Sequence, residues 1–445
     1  MKRATHRALL PLFIAIALFA TFASSRREWA EAAPNQPSSP EPTRNPEQWR
    51  EDLRYLSQEL PRRHVNAFHN ISAEVWADEV AALDEAIPTF ADHVILIRMT
   101  RLVALVGDAH TSLGWTSQRY PLRSYPIFLS NRPDGLFVIA VASQRRETSR
   151  GYADNSRALG ARVVSIGGID IELVKQRVTT LISTDNEVWP TFVLPNFLNV
   201  PEVLNALEVV PDMDHGQFVV EDAEGRRMEL DLAPVSQSEL TQLPLLNWPG
   251  VRRWTRPLIF TRPNSLNYWY EYLEGQRTVY FRYRRCQEMA SQPFAGFSQE
   301  LLSVLDTRDV DRLIIELRDN TGGNSAILDP FIEAIRSRPR FNQTGKLFVL
   351  INRGTFSSGM LNANTLQLRT RAILIGEPTG GKPNSYGEVR NFTLPHSGLT
   401  VNYSTRFFRL RADDPPALMP DVLVEYPWSA FEAGRDPVLE AALNY

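Results

Sequence analysis

Cross-linking sulfur is almost absent. Among 445 residues there is one cysteine, Cys286, which excludes a disulfide framework within the chain and a cysteine-built zinc site. Charge of one sign is not in excess either. The 48 Lys and Arg stand against 51 Asp and Glu, a net charge of −3, so there is no bulk electrostatic case for nucleic acid. Beyond the first segment no apolar run approaches the roughly 18 residues of a membrane span, and no internal repeat is visible. What is present is ordinary globular material, 43 % apolar and 22 % charged, enough to bury a core. The length suggests about three domains.

The first 32 residues read as a signal peptide. Lys2, Arg3, His6 and Arg7 form a basic start, residues 8–23 are apolar apart from Pro11 and Thr21, and Ala30-Glu31-Ala32 fits a small-residue cleavage site. The apolar run is short for a transmembrane anchor. Its removal takes away five basic and two acidic residues and leaves −6. The expectation is a periplasmic or extracellular protein with no membrane span after cleavage, anchored only if the signal is retained. Residues 33–45, with Pro34, Pro37, Pro40 and Pro42, read as a disordered linker.

Three composition regimes follow. Over 46–118, Asn45-Pro46 reads as a helix start. Trp49, Leu53, Leu56 and Leu60 keep helical spacing until Pro61, expected to stop the helix. Trp76, Val80, Leu83 and Ile87 mark a second helix, and residues 93–106 a third, ended by Gly107. Over 119–245 the pattern is of short strands, at 136–141 and 162–166, with a hairpin turning at Ala223-Glu224-Gly225. Over 246–445, apolar runs at 312–317, 346–351 and 372–375 alternate with helical stretches at 326–337 and 357–369. That order implies parallel strands with crossover helices. Functional loops of such sheets lie beyond the carboxyl ends of the strands.

Three loops leave those strands. Arg318-Asp319-Asn320-Thr321-Gly322-Gly323 has paired glycines that let a backbone turn expose N–H donors to an oxyanion. Gly354-Thr355-Phe356-Ser357-Ser358 sets a serine at a helix start, where free N–H groups and the helix dipole suit an anionic intermediate, or where serine simply caps. Gly376-Glu377-Pro378-Thr379-Gly380-Gly381-Lys382 delivers a lysine that burial could depress into a general base, or that is merely solvated.

Together these pieces resemble the catalytic domain of the C-terminal processing (tail-specific) serine peptidases and the tricorn core, over about 268–425. The matching residues are Arg318, Asn320, Gly322 and Gly323; Gly354 to Ser357; and Gly376 to Thr379 followed by Lys382. Pro420-Asp421-Val422 recurs as well. The resemblance implies an α/β, ClpP/crotonase-like catalytic domain with Ser357 as nucleophile. It also implies a Lys382 base, and oxyanion donors from Gly322 or Gly323 and Ser358. Gly107-Asp108-Ala109-His110-Thr111 resembles the Asp-Gly-His-Thr element of tricorn-like members, where a histidine is the base. A histidine needs less pKa shifting for that work. Lys382 and His110 therefore stand as alternative or cooperating bases. Glu377, Tyr386 and Asp108 are candidate orienting groups.

The sequence departs from the pattern at two points. Tyr386 stands where processing peptidases usually carry glutamine, and Ser358-Gly359-Met360 where small residues and a glutamate usually follow the serine. The β-region resembles a PDZ-like module, with 135–138 as a peptide-binding edge. His64 and His69 read as packing, and Cys286 as a small buried hydrophobe. The expected function is an exported serine endopeptidase acting on unfolded or C-terminally exposed polypeptide, without cofactor or metal. Its polypeptide substrate is the partner, and its oligomeric state is left open. The alternatives are an inactive relative that binds peptides or apolar ligands, and a CoA-dependent crotonase-type enzyme, against which an export signal argues.

Overall fold

In the computed structural model, which describes residues 44–115, 122–142, 155–243, 245–247, 258–261 and 265–445, Asn45 opens the first helix. The signal-peptide reading of 1–32 and most of the linker reading of 33–45 lie outside the described residues. Helix α1 (Pro46–Arg63) starts with a capping box in which the Asn45 side chain accepts the Gln48 N–H and the Gln48 side chain returns the bond. It runs through Pro61 rather than stopping there. A proline in the last turn removes its own N–H bond, yet His64 N–H still donates to Leu60 O at 2.9 Å. Helices α2 (Ala73–Ala86) and α3 (Asp92–Ala104) follow. Strand β1 (Ser112–Gly114) then leaves the helices and pairs antiparallel with residues 400–402 of the far end of the chain.

The middle region holds β2 (Ile127–Arg132), β3 (Gly135–Ala142), β4 (Arg162–Ile166) and β5 (Ile169–Asp170), then helices α4 (Ile171–Thr179), α5 (Val188–Val193) and α6 (Pro201–Ala206). Strands β6 (Gly216–Glu221) and β7 (Arg227–Leu232), helix α7 (Gln237–Gln242) and β8 (Leu245–Asn247) complete it. The sheet order is β2-β3-β4-β6-β7, with β5 on β4 and β8 on β3. The turn at Gly225 joins β6 and β7 as the sequence predicts. Four helices in a region read as strands were not anticipated; short helices such as those opened by Pro201 or interrupted by Pro190 lack the length that makes a 3.6 period visible. The proposed peptide-binding edge at 135–138 is also corrected. Leu136 to Val138 pair with Leu129 to Asn131 of β2. On the other side Val138 N–H donates to Ala161 O and Val138 O accepts Gly160 N–H. That backbone has no free side for a peptide.

The last region is the parallel α/β unit. Its elements are β9 (Tyr268–Leu273), β10 (Thr278–Tyr283), α8 (Phe294–Thr307), β11 (Arg312–Glu316), α9 (Asp329–Arg336), β12 (Leu347–Ile351), α10 (Ser357–Arg369) and β13 (Ile373–Gly376). The hairpin β14 (Asn384–Thr393) and β15 (Thr400–Arg409) follows, then β16 (Val422–Leu423), α11 (Trp428–Glu432) and α12 (Pro437–Asn444). The sheet order is β16-β13-β12-β11-β10-β9, parallel except for β9 against β10. Both faces are covered. Leu313, Ile315, Val349 and Ile351 pack with Leu301, Ile332 and Leu366. Ile314, Phe348, Leu350 and Ile375 pack with Val438 and Ala442. That two-sided burial is why these strands read as continuous apolar runs.

A separate apolar core joins the helices, the middle sheet and the β14–β15 hairpin, through Leu53, Val103, Val163, Val220, Leu399 and Val401 among others. The hairpin thereby reaches out of the α/β unit and is held by the N-terminal helices. The carboxyl ends of β11, β12 and β13 face the seam between them.

Candidate active site

The loop after β12 is laced to the loop after β11. Asn352 Oδ1 accepts N–H bonds from Asp319 and Gly354, and its Nδ2 donates to Asp319 Oδ1 at 2.8 Å. Thr355 Oγ1 donates to Leu317 O, and Phe356 N–H to Asn320 O. These bonds drive the chain into the helix at a sharp angle. Ser357, the first residue of α10, has φ +48°, a left-handed conformation that costs a non-glycine residue of order 1–3 kcal/mol. Asp319 at φ +59° carries the matching strain on the facing loop. Strain held by bonds on both sides aims the Ser357 side chain away from α10.

Gly322 is the residue that makes room. It has φ +113°, and a Cβ there would lie 2.8 Å from Ser357 Cβ and 2.9 Å from Ser358 N. Gly359, a departure from the family pattern in sequence, is likewise demanded by space: a Cβ would meet Asn320 O at 2.3 Å. The two predicted oxyanion glycines differ. Gly322 N–H already donates to Asn320 Oδ1 at 2.9 Å, whereas Gly323 O accepts from Ser358 Oγ at 2.7 Å and its N–H is left uncommitted among the described residues. Ser358 N–H belongs to the first turn of α10, where no intrahelical acceptor exists. The backbone of Cys286 buttresses this loop, with its N–H donating to Gly322 O and its carbonyl accepting from Asn324. Its buried thiol is pushed up to about 12 by loss of solvent and points at Asn362. The packing role expected of Cys286 thus includes holding the double-glycine turn.

Among the predicted residues the structure brings His110 and Ser357 together. Nε2 of His110 lies 3.0 Å from Ser357 Oγ. The ring stacks on Phe356 at 4.7 Å, and Phe356 stacks on Trp189 of α5 at 4.1 Å. Asp108 sets the turn that presents this ring. It is fully buried, and its Oδ1 accepts the His110 backbone N–H at 2.9 Å while Oδ2 accepts Thr111 Oγ1 at 2.6 Å. The imidazole of His64 bonds the same Oδ2 at 3.1 Å. Asn66 N–H donates to His64 Nδ1, so the His64 proton sits on Nε2 and points at Asp108. Burial alone would raise the Asp108 carboxyl, but the His64 bond, the His110 charge and the hydroxyl donors hold it down at about 2. Asp108 Oδ1 also lies 3.8 Å from His110 Nδ1, a charge contact too long for a hydrogen bond. Burial lowers the His110 pKa below the usual imidazole range, against the opposing charge of Asp108. A neutral ring whose Nε2 faces the serine hydroxyl is in the state a general base requires.

Lys382 is placed otherwise. Its Nζ pairs with Asp414 Oδ2 at 2.8 Å, and among the described residues it makes no bond to Ser357. Glu377 receives Arg353 Nε at 3.3 Å and stands apart from His110. Tyr386 accepts from Asn66 Nδ2 through its hydroxyl and packs on the rings of His64 and His69. Lys382 and Tyr386 share the wall of a cavity of about 460 Å3 with Asp185, Asn384, Arg409 and Asp414. Asp185, from the loop before α5, was missed in sequence. It stands within reach of Asp108 and His110, and burial together with the Asp108 charge pushes its carboxyl up to about 8. No spacing signal could have found it, because 75 residues and a separate sheet divide it from His110. The reading of His64 as packing left out its bond to Asp108, since that partner lies 44 positions away.

The loops are braced from behind by buried charge. Arg318 is 2 % exposed and donates both terminal nitrogens to Asp436, at 2.9 and 2.8 Å. It also binds Glu316, which meets Arg282 at 3.2 Å. The arginine expected from the sequence therefore ties the double-glycine loop to the C-terminal segment.

A parallel sheet whose strand-end loops carry a strained serine beside an imidazole defines a serine-type peptidase. Residues 277–411, most of the α/β unit, match the model of peptidase family S41. Ser357 and Lys382 lie inside the match, and Asp108 and His110 outside it. The structure is similar to mature CPAF complexed with lactacystin (TM-score 0.57, 11 % identity, 89 % of this chain and 97 % of that one). It is also similar to mature CPAF alone (TM-score 0.54, 11 % identity, 89 % and 96 %). At such identity these likenesses speak for the fold. The photosystem II D1 C-terminal processing protease is more distant (TM-score 0.40, 13 % identity, 90 % and 96 %). No curated protein matches the chain by sequence. Among the described residues no helix is long and apolar enough to cross a membrane.

Proposed function

We propose that this chain is an exported serine endopeptidase in which Ser357 is the nucleophile and His110 its general base. The reading is carried by one observation, the 3.0 Å approach of His110 Nε2 to the Oγ of a serine held in a left-handed conformation. Oγ attacks the scissile carbonyl as its proton passes to Nε2. The oxyanion is received by the N–H groups of Gly323 and Ser358, both uncommitted, and the positive end of α10 adds to them. His110 then gives its proton to the leaving amine and activates the water that clears the acyl-enzyme. Asp108 steadies the transient imidazolium by its charge and fixes the His110 backbone. Lys382 is held by Asp414 and lines the wall of the cleft rather than serving as the base. Substrates are unfolded or C-terminally exposed polypeptides, because an extended chain is what a seam between two packed units admits. The basic and apolar start of the sequence supports export.

The test is cleavage of casein by the full chain, read by mass spectrometry, with fluorophosphonate acylation as a second readout. Ser357→Ala should lose both cleavage and labelling, and His110→Ala should lose cleavage by roughly 10²–10⁴-fold. Lys382→Ala should keep most of it. A Lys382→Ala loss equal to that of Ser357→Ala, with folding intact, would transfer the base to the lysine. A folded wild type that neither cleaves nor labels would overturn the peptidase reading.

A further inference from the structure

Two buried polar atoms have no hydrogen-bond partner among the described residues: His110 Nδ1 and Asp185 Oδ2. They belong to one cluster. Asp108, His110 and Asp185 each offer a donor atom, and those atoms lie within 4.8 Å of one another. The arrangement is unusual in its charge. Two carboxyl groups cluster with one imidazole, without an intervening Lys or Arg in bonded contact among the described residues. Lys382, the cation on the same cavity wall, is already paired with Asp414, and His64 contacts Asp108 from its far oxygen. Unpaired buried donors and acceptors are costly. A hydrogen bond between the ring and Asp185 would satisfy one pair but leave the two carboxyl groups facing each other.

The geometry points to a divalent-cation site of the zinc class, built from His110 Nδ1, Asp108 and Asp185, that silences the peptidase when filled. One imidazole and two carboxylates are a zinc-type donor set, and too nitrogen-rich and too small for calcium. Asp108 Oδ1 and Nδ1, 3.8 Å apart, leave room for an ion between them. Asp185 lines the cavity and supplies the route of entry. The three ligands come from the turn after α3 and from the loop before α5, so the ion would also clamp the middle region onto the helices.

The consequence follows from the tautomer. A neutral imidazole that binds a metal through Nδ1 carries its proton on Nε2. Nε2 then donates to Ser357 Oγ instead of accepting from it, and the serine cannot be deprotonated. The inhibition, but not the binding, rests on His110 being the base. Zinc would act without touching Ser357 or the oxyanion donors.

The experiment uses the full chain stripped with chelator, then titrated with zinc chloride. Calorimetry and thermal unfolding report binding, and casein cleavage reports activity. Wild type should bind one zinc per chain at this site, rise in Tm and lose at least about tenfold in cleavage, all reversed by chelator. Asp185→Asn should weaken the zinc-dependent shift by at least about tenfold relative to its own chelated baseline. Ser357→Ala, inert as a peptidase, should keep the full shift. A double variant His69→Ala, His215→Ala removes exposed histidines and should also keep it. Equal zinc shifts in wild type and Asp185→Asn would mean adventitious ions only and overturn the site, as would no shift at all. Zinc that binds through Asp185 without slowing cleavage would uphold the site and overturn the assignment of His110 as base.

Discussion

Replacing Asp108 by Asn tests whether one buried carboxylate organises the whole catalytic turn. The group accepts the His110 N–H, the Thr111 hydroxyl and the His64 imidazole N–H. An amide offers one accepting oxygen and turns an NH2 toward at least one of those donors. The carboxyl sits at about 2 against an ordinary 3.8, which is worth on the order of 2–3 kcal/mol of folding stability near neutrality. The sign is that of a depressed acid: this contribution is complete above the ordinary value and disappears as pH falls through 2. At pH 3 about half of it remains. Urea unfolding of wild type and Asp108→Asn, in chelator, should therefore show a gap of about 2–3 kcal/mol at pH 7 that narrows by more than 1 kcal/mol at pH 3. Cleavage should fall by about 10²–10⁴-fold, because the turn that presents His110 is loosened and the imidazolium loses its counter-charge. A stability gap that stays constant between pH 7 and pH 3 would refute the argument that Asp108 acts through its charge.

Gly322→Ala places a methyl 2.8 Å from Ser357 Cβ at φ +113°. It should abolish turnover while leaving unfolding cooperative, measured by casein cleavage and urea titration. Removing the buried Arg318 as Arg318→Met leaves Asp436 without its counter-ion and Glu316 with Arg282 alone. It should cost about 3–5 kcal/mol in chemical denaturation, more than any exposed Arg→Met control. Because burial depresses the His110 pKa, kcat/KM in chelator should hold its plateau below pH 6.5 and fall only on further acidification; a half-point above 6.5 would contradict this. Trp189→Ala removes the ring behind Phe356 and His110 and should lower kcat more than it raises KM, read from steady-state kinetics on a peptide substrate.

Much of the fold is legible in sequence because its signals are local. Parallel strands buried on both faces leave apolar runs, and the expected segments at 312–317, 346–351 and 372–375 fall on β11, β12 and β13. Asn45 and Gln48 announce α1 by a reciprocal cap that needs no tertiary contact. The double-glycine loop, the serine at a helix start and the Gly-Glu-Pro-Thr run are contiguous motifs, and they locate Ser357 and its neighbours. Gly359 shows the limit of pattern matching. It reads as a departure until the approach of Asn320 O explains it.

The remainder was decided by which distant segments meet. Sequence left Lys382 and His110 as alternatives, because a base is defined by a distance and not by a residue type. The fold brings His110 to Ser357 across 247 positions and gives Lys382 to Asp414. It spends the Gly322 N–H on Asn320 and leaves that of Gly323 uncommitted. Asp185 and His64 acquire meaning only where the middle region and the first helix close around Asp108. Backbone conformation and burial pattern follow from neighbours a few residues apart, so the chain states them directly. Proton-transfer partners and charge environments depend on contacts between elements remote in sequence, and only the packed structure brings those together.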